Sequence, residues 1–441
     1  MIDGDIKVVF RSWYGSMLQR LGSHFLGNSA SSVAARALSG GARLGVLLVL
    51  ARVYGPESFG KVSLAISVVE ILRTFSEFGI DTISIRRFAQ ASPEDRADLL
   101  HKILGARLVL AACFYFLGSI ALFLIAGREV AFYSLIAGLS LFFAGVIGSL
   151  SSYLQSFFSM YRMFKTTVAG GIASVVFALC AIYFRAPVAL VIVALPLADF
   201  VNLAFFCGRS DLPLRARFDV KSALSLLRES LPVGLMAIVV VIYFRLDNLF
   251  VFKFSGEMAL GLYAACYRLV EPVLMVPHSF SVTAYTLLST REHEKGGLRE
   301  VMGVLWRTMW PAYALVAAIA SAFVLGDKLL FLKLLPAYSA GEPILLILVA
   351  TLVVRSINVA LTAVFNSRAR YSTVTKIAVA NLAINLVLVV FLTPKYGAVG
   401  AAWAALATEF LNMLMQGRGV FSLLQVPGAR FAVDNAKFEE M

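Results

Sequence analysis

The chain has 441 residues, 60% of them hydrophobic and only 15% charged, with a mean hydropathy of +0.83. Soluble domains carry about 25% charged residues, and a single core cannot absorb this much apolar surface at such a length, so the remaining solvent is lipid. A formal charge of +13 would suggest nucleic acid in a soluble protein, but here it is the excess expected of cationic cytoplasmic loops, and no nucleic-acid partner is expected.

Residues 1–30 contain no apolar run long enough for a cleavable signal, because Lys7, Arg11 and Arg20 interrupt the stretch from Ile6 to Leu26. They read as an amphipathic segment on the cytoplasmic face. Runs of about 20 largely apolar residues, the length that crosses a bilayer, then follow at 33–53, 62–84, 103–126, 130–157, 167–184, 188–208, 230–252, 260–287, 302–325, 342–365, 374–393 and 397–416. The expectation is an all-α integral membrane protein of about twelve spans. Cys113, Cys180, Cys207 and Cys266 are widely separated within or beside these runs and read as lipid-facing or packed thiols. Pro232, Pro272, Pro277 and the pair Gly170–Gly171 are expected to interrupt helices and supply bending points.

Loop charge sets the orientation. Arg86, Arg87, Arg96 and Lys102, then Arg162 and Lys165, then Arg209, Arg215, Arg217, Lys221 and Arg228, then Arg291, Lys295 and Arg299, then Arg368 and Arg370 all fall on one side. The other side has scattered cations such as Lys61, Arg128 and Arg185. The positive-inside rule makes the first side cytoplasmic, together with both termini. Arg52, Arg86 and Arg87 sit at helix ends, where anchoring at headgroups is the simplest reading.

The longest interruption, around residues 209–229, is polar and basic, and it divides the chain into two halves of six spans. The expected organisation is an N-terminal segment 1–30, an N-lobe 31–208, a basic cytoplasmic linker 209–229, a C-lobe 230–417 and a cytoplasmic tail 418–441. The halves look like repeats. Gly55, Gly60 and Glu70 recur as Gly256, Gly261 and Glu271; Leu154, Phe158 and Thr166 recur as Leu361, Phe365 and Thr373; Arg185 and Asp199 recur as Lys395 and Glu409. An even number of spans per repeat makes the two lobes parallel, related by a pseudo-two-fold axis along the membrane normal.

Ionisable residues inside spans are costly and face a cavity or one another. Glu70 with Arg73, and Arg268 with Glu271, are three residues apart and can neutralise themselves on one helical face. Asp199 and Glu409 match through the repeat and read as ties within each lobe. Arg43, Arg245 and Arg355 have no partner at helical spacing, and Asp247 points about 200° away from Arg245 around its helix. Such arginines are expected to face water or an anion, and the guanidinium fork suits phosphate oxygens. Tyr153, Tyr161, Tyr243, Tyr263 and Tyr267 either stack on sugars or serve as ordinary packing and interfacial aromatics. His278 reads as a packed histidine or as a titrating group.

Several motifs point to a family. Ala51-Arg-Val-Tyr-Gly-Pro-Glu-Ser-Phe-Gly60 resembles the R-x-x-G-P-x-x-F-G signature that closes the first helix of polysaccharide flippases. Phe78-Gly79-Ile80 followed by Arg86-Arg87 is similar to the end of their second helix, and Leu231-Pro232, Arg245-Leu-Asp247, Gly261-Leu-Tyr263 and Tyr267-Arg268 follow in a familiar order. Tyr396-Gly-Ala-Val-Gly-Ala-Ala402 resembles the G-x-x-G-A-A start of a late helix. Across residues 30–420 the chain resembles the Wzx-type O-antigen and exopolysaccharide flippases of the multidrug/oligosaccharidyl-lipid/polysaccharide (MOP) exporter superfamily.

That resemblance implies two six-helix lobes around a central cavity, in a bacterial inner membrane. It implies a substrate of oligosaccharide on polyprenyl diphosphate, moved from the cytoplasmic to the outer leaflet by alternating access. It places Arg43, Arg73, Arg245 and Arg268 on helices around the cavity. With Arg355 they form the expected diphosphate-binding set, and Tyr153, Tyr243, Tyr263 and Tyr267 are the candidate glycan contacts. Glu70, Asp247 and Glu271 are candidates for coupling to a proton or sodium ion; no other cofactor and no metal are expected, since the sequence has no P-loop and no cluster with metal-ligand spacing. Expected partners are the lipid-linked oligosaccharide, membrane lipid and polysaccharide-synthesis proteins. The alternatives are a multidrug exporter of the same superfamily, a lipid II transporter, and a membrane glycan polymerase, the last disfavoured by short outer loops. The chain is not expected to be an enzyme.

Overall fold

Among the described residues, seven helical stretches are long and apolar enough to cross a membrane, yet three of them, 96–156, 220–288 and 371–424, run to 61, 69 and 54 residues. At 1.5 Å per residue even the shortest of these would extend roughly 80 Å, against about 30 Å of hydrocarbon. Each is broken at a glycine: Gly127 (φ 82°, ψ −179°), Gly256 (φ 79°, ψ −174°) and Gly397 (φ 60°, ψ −143°). Gly55 (φ 78°) breaks the helical run 44–77 in the same way. This backbone region is closed to residues carrying a Cβ, so the helix ends at one residue. After Gly397 the chain folds back tightly enough that a Cβ on Gly400 would lie 2.3 Å from the Leu392 carbonyl oxygen.

The structure is a computed structural model that describes residues 41, 44–92, 94–156, 161–207, 215–289, 297–329, 331, 333 and 335–425. The expected segment 1–30, Arg43, the Tyr161 side chain and the tail beyond residue 425 lie outside the described residues. Divided at the breaks, the described residues form α1 (44–54), α2 (56–77), α3 (Ile80–Gln90), α4 (96–126), α5 (128–156, with a turn at Leu139), α6 (Tyr161–Tyr183) and α7 (188–207, with a turn at Val193). They continue with α8 (220–255), α9 (257–270), α10 (Met275–Leu288), α11 (Leu298–Leu329), α12 (Glu342–Ser367), α13 (371–396) and α14 (398–425). Helices α2 and α3 make one span interrupted at Phe78–Gly79, and α9 and α10 make one span interrupted by the 3-10 turn Glu271–Leu274. Read this way, the segments follow the twelve predicted spans in order, and the described residues are helical with no strand.

The expected bending points are largely displaced. Pro232 sits inside the continuous helix α8, and Pro277 lies in the first turn of α10, where a missing N–H costs little. Gly170 is inside α6 and serves close packing instead, because a Cβ there would fall 2.3 Å from the Ala198 carbonyl oxygen of α7. Of the expected breaks, Pro272 is at a real interruption, in the 3-10 turn. Residues 220–229 of the expected basic linker lie in the first turns of α8.

Contacts divide the chain into two units, Met1–Ala265 and Cys266–Met441. In the first, α3, α5 and α7 pack with α4 around Ile80, Ile83, Phe88, Leu100, Ile103 and Leu150. Along α4, Leu104, Arg107, Ala111, Gly118 and Leu122 are buried, while Phe116, Leu117, Ile120 and Leu124 stand exposed on the other face. An apolar face turned outward is what lipid as solvent demands. In the second unit, α12 is the central helix, packed by α10, α11 and the α13–α14 pair around Leu288, Leu305, Met309, Val364 and Phe365.

Helix α8 and the start of α9 belong to the first unit, although the sequence places a boundary at 209–229. The physical reason is a set of backbone contacts that only glycine permits. A Cβ on Gly60 would lie 1.9 Å from the Glu257 carbonyl oxygen, and one on Gly261 would lie 1.8 Å from the Pro56 carbonyl oxygen. The two contacts are reciprocal, since residues 56 and 60 correspond to 257 and 261 through the repeat. A local two-fold between the starts of α2 and α9 produces this reciprocity, and small residues at such crossings let helices approach in a membrane.

Candidate functional site

Charged residues within the spans of the first unit meet where α8 runs along α2. Ser67 and Glu70, one turn apart, face Asn248 and Arg245, one turn apart in the opposite sense, as antiparallel helices require. Asn248 Nδ2 donates to Ser67 Oγ at 2.7 Å, and Arg245 Nε lies 2.6 Å from Glu70 Oε2. Asp247 faces away towards α9, where its Oδ2 accepts a 3.0 Å hydrogen bond from the Tyr263 hydroxyl. Arg73 Nε donates to Glu77 Oε1 at 2.8 Å.

Two sequence expectations are corrected here. Glu70 lies on Arg245 of another helix, and Arg73 donates to Glu77 with Glu70 as a further neighbouring charge, so the expected Glu70–Arg73 pair is part of a wider group. Arg245, expected without a partner, has one contributed by a residue 175 positions earlier. Helical spacing reveals only partners on the same helix, and Glu70 comes from a different one.

The second unit holds a comparable group. Arg355 on α12, also expected to lack a partner, donates from Nε to Glu409 Oε1 at 2.7 Å and from Nη1 to the Tyr267 hydroxyl at 3.2 Å. Glu409 is 3% exposed, and its other carboxylate oxygen accepts from Asn358 Nδ2 at 2.7 Å and Asn412 Nδ2 at 3.3 Å. The chain of bonds continues along α12 and α14, from Gln416 to Asn412 Oδ1 at 2.8 Å and from Thr362 to Gln416 Oε1 at 3.1 Å. The donors from Arg355, Asn358 and Asn412 satisfy both oxygens of the buried Glu409 carboxylate. Arg268 and Glu271 approach to 3.8 Å across one turn.

The candidate glycan tyrosines are spread through this packing. Tyr263 is 1% exposed and committed to Asp247. Tyr267 accepts from Arg355, Tyr153 stands edge-on to Phe88 at 5.3 Å, and Tyr243 is half-buried beside Phe244. In this conformation Tyr263 offers no ring face to a ligand.

Sequence reasoning missed a buried cation. Arg107 of α4 is 1% exposed and donates from Nη2 to Asp81 Oδ1 at 2.5 Å, an oxygen that also accepts from Ser152 Oγ at 3.2 Å. Gly148 makes room for it, since a Cβ there would meet Arg107 Nη1 at 2.1 Å. The signal was present, because Arg107 lies inside the predicted span 103–126 with no acid at helical spacing.

Two further clusters mark the helix ends of the first unit. Lys61 Nζ sits 3.3 Å from Glu57, 2.9 Å from Glu129 and 3.3 Å from Glu257. Each of these acids stands one or two residues after a helix-breaking glycine, where a carboxylate complements the helix dipole. At the opposite end of α2–α3, Arg86 and Arg87 converge on Glu229 of α8. Also at that end, Asp98 binds Lys102 and Arg217, and Arg217 N–H donates to the His101 carbonyl at 3.0 Å.

The described helical spans, with ion pairs between helices, define a multi-pass membrane protein with the architecture of the MOP transporters. A model of the family described as "Polysaccharide biosynthesis protein" matches residues 49–329, and the chain belongs to that family. Solved structures with the same fold include the lipid II flippase MurJ in an inward closed conformation, 14% identical, with TM-score 0.73 over 90% of this chain and 87% of that one. An inward-facing multidrug resistance MATE transporter of the MOP superfamily is 15% identical, with TM-score 0.66 over 88% and 96%. A MOP superfamily transporter from Pyrococcus furiosus is 13% identical, with TM-score 0.54 over 93% and 96%. No curated protein matches the sequence.

Proposed function

We propose that this chain is a flippase that carries polyprenyl-diphosphate-linked oligosaccharide from the cytoplasmic to the outer leaflet of a bacterial inner membrane, by alternating access, for cell-surface polysaccharide synthesis. The observation that carries the reading is the polysaccharide-biosynthesis family match over residues 49–329. It is supported by arginines held inside spans on acids from other helices, Arg245 on Glu70 and Arg355 on Glu409. A diphosphate brings the same chemistry as those carboxylates with more charge, so it can take over a guanidinium that an acid keeps ionised and oriented meanwhile. The polyprenyl tail stays in lipid while the head group passes between helices. Both termini and the basic loops then face the cytoplasm, where those loops would dock polysaccharide-synthesis proteins.

The similarity to a lipid II flippase, at TM-score 0.73, favours lipid II as the second reading, with the same diphosphate requirement. The test is leaflet exchange of a polyprenyl-diphosphate oligosaccharide by purified protein in liposomes, with folded Arg245→Ala and Arg268→Ala for comparison. Wild-type exchange reduced at least about tenfold in both variants is the expected outcome, the worth of one charge-assisted contact. Exchange of lipid II alone would select the second reading, and export of a lipophilic cation in place of either lipid would move the protein to the multidrug branch.

Glu70, Asp247 and Glu271 are the groups through which transport would couple to an ion. A diphosphate on Arg245 would release Glu70, and a carboxylate left in a span takes up a proton or a sodium ion to offset its charge. The rate is therefore expected to follow a pH or sodium gradient and to lose that dependence in Glu70→Gln. Indifference of the wild-type rate to both gradients would sink the coupling.

A further inference from the structure

The span formed by α2 and α3 does not end as a simple helix. It stops at residue 77, passes through Phe78 (φ 40°) and Gly79 (φ 69°), and restarts as α3. A phenylalanine in the left-handed region is strained, so the surroundings must hold it there. They do so through α8: a Cβ on Gly79 would lie 2.8 Å from Gly234 N, and one on Gly234 would lie 2.7 Å from the Phe78 carbonyl oxygen. On its other side, α3 is held by Asp81, which accepts from Arg107 and Ser152. The break thus re-aims the eleven-residue α3 and brings its last turn beside the first turns of α8.

That last turn begins with Arg87, directly preceded by Arg86. Arg87 donates to Glu229 Oε2 from Nε at 2.9 Å and from Nη2 at 2.6 Å, and its Nη2 also donates to Ser225 Oγ at 3.1 Å. Arg86 Nη2 donates to the other oxygen of the same carboxylate. The side chains of Arg87 and Glu229 are 22% and 26% exposed and that of Arg86 is 59% exposed, so the cluster opens to one side. Two guanidinium groups thus clasp one carboxylate from two directions, leaving one positive charge unbalanced. Headgroup anchoring, the simplest sequence reading of these arginines, does not account for a carboxylate already seated between them. The arrangement is the one a phosphate would take, with oxygens distributed between two planar forks.

We propose that Arg86 and Arg87 form the first docking site for the diphosphate of the lipid-linked substrate, and that Glu229 is an internal placeholder which the diphosphate displaces. This rests on the flippase reading above. A diphosphate outcompetes a single carboxylate because it brings more charge and more acceptor oxygens to the same donors. Its arrival releases Glu229, and with it the tie between α3 and the start of α8. Docking at this end is thereby linked to loosening of the seam that continues inward to Arg245 and Glu70.

The test uses the full-length protein in nanodiscs of zwitterionic phospholipid, with inorganic pyrophosphate as the probe and calorimetry as the readout. Glu229→Gln keeps the shape and removes the competing charge, so it is expected to bind pyrophosphate about tenfold tighter than wild type, while Arg87→Gln binds about tenfold weaker. A merely structural Glu229 would instead give lower thermal stability with unchanged or weaker binding, and that result overturns the proposal. Nanodiscs containing anionic phosphatidylglycerol separate the two sources of phosphate. If that lipid abolishes pyrophosphate binding to Glu229→Gln, the site is a general headgroup anchor and the proposal fails; retained binding supports it. The affinity order without any leaflet exchange would discard the flippase reading and keep the site, whereas exchange without that order discards the site alone.

Discussion

Replacing Glu409 by alanine is expected to cost about 3–5 kcal/mol of stability, because it strands a buried cation. Glu409 is 3% exposed, and the Arg355 side chain that donates to it is 11% exposed. The same carboxylate receives Asn358 and Asn412, so its loss also leaves two amide groups short of an acceptor. Glu409→Gln keeps the shape but removes the charge and should fall between wild type and alanine. Glu409→Leu combined with Arg355→Met should recover most of the stability, since a buried ion pair is often no better than well-packed apolar residues of similar volume. Thermal unfolding in detergent micelles, followed by circular dichroism, decides it. A double variant no more stable than Glu409→Ala would show that the ion pair is not the source of the loss.

Gly261→Ala is the second large effect. The added Cβ would lie 1.8 Å from the Pro56 carbonyl oxygen, 2.6 Å from the carbonyl carbon and 3.0 Å from the Cα. All three are backbone atoms, so no rotamer change relieves the clash and the starts of α2 and α9 must separate. Overpacking of this kind costs about 1–3 kcal/mol. Gly60→Ala meets the Glu257 carbonyl oxygen at 1.9 Å and should cost a similar amount. Combining the two should cost clearly less than their sum, because one separation accommodates both methyl groups. Gly303→Ala, where nothing lies within 4 Å of the added Cβ, should be neutral or stabilising in the second turn of α11. Full additivity of Gly60→Ala and Gly261→Ala in thermal unfolding would rule out the shared contact.

The helix breaks show how far local pattern reaches. Gly55 and Gly256 stood out as a repeated motif, and both adopt the positive φ that forces a helix to end. Gly60 and Gly261 stood out for the same reason, yet their purpose lies in each other's neighbourhood and not in their own turns. The expected proline bends were less informative, because Pro232 and Pro277 are accommodated within α8 and α10. Proline reports a missing donor, and whether a helix bends there depends on what packs against it.

The charged residues divide along the same line. Helical spacing found the contact between Arg268 and Glu271, because the end of α9 and the 3-10 turn that follows it directly fix both positions. It could not find Glu70 for Arg245, Glu409 for Arg355, Glu229 for Arg87 or Asp81 for Arg107. Each of those pairs depends on how two helices are rotated and set in register, and sequence separations of 26 to 175 residues carry no periodicity that would reveal it.

By itself, then, the sequence determined that the chain lives in lipid, that the glycine motif of its first half recurs in its second, and which ionisable groups are carried into the spans. Composition and run length settle those matters because the bilayer imposes one thickness and one polarity on every segment. Only the tertiary structure decided which acid holds which arginine and which glycines meet. Those outcomes are set by packing, since a charge in a low-dielectric interior must be matched by whatever partner the neighbouring helix brings within reach.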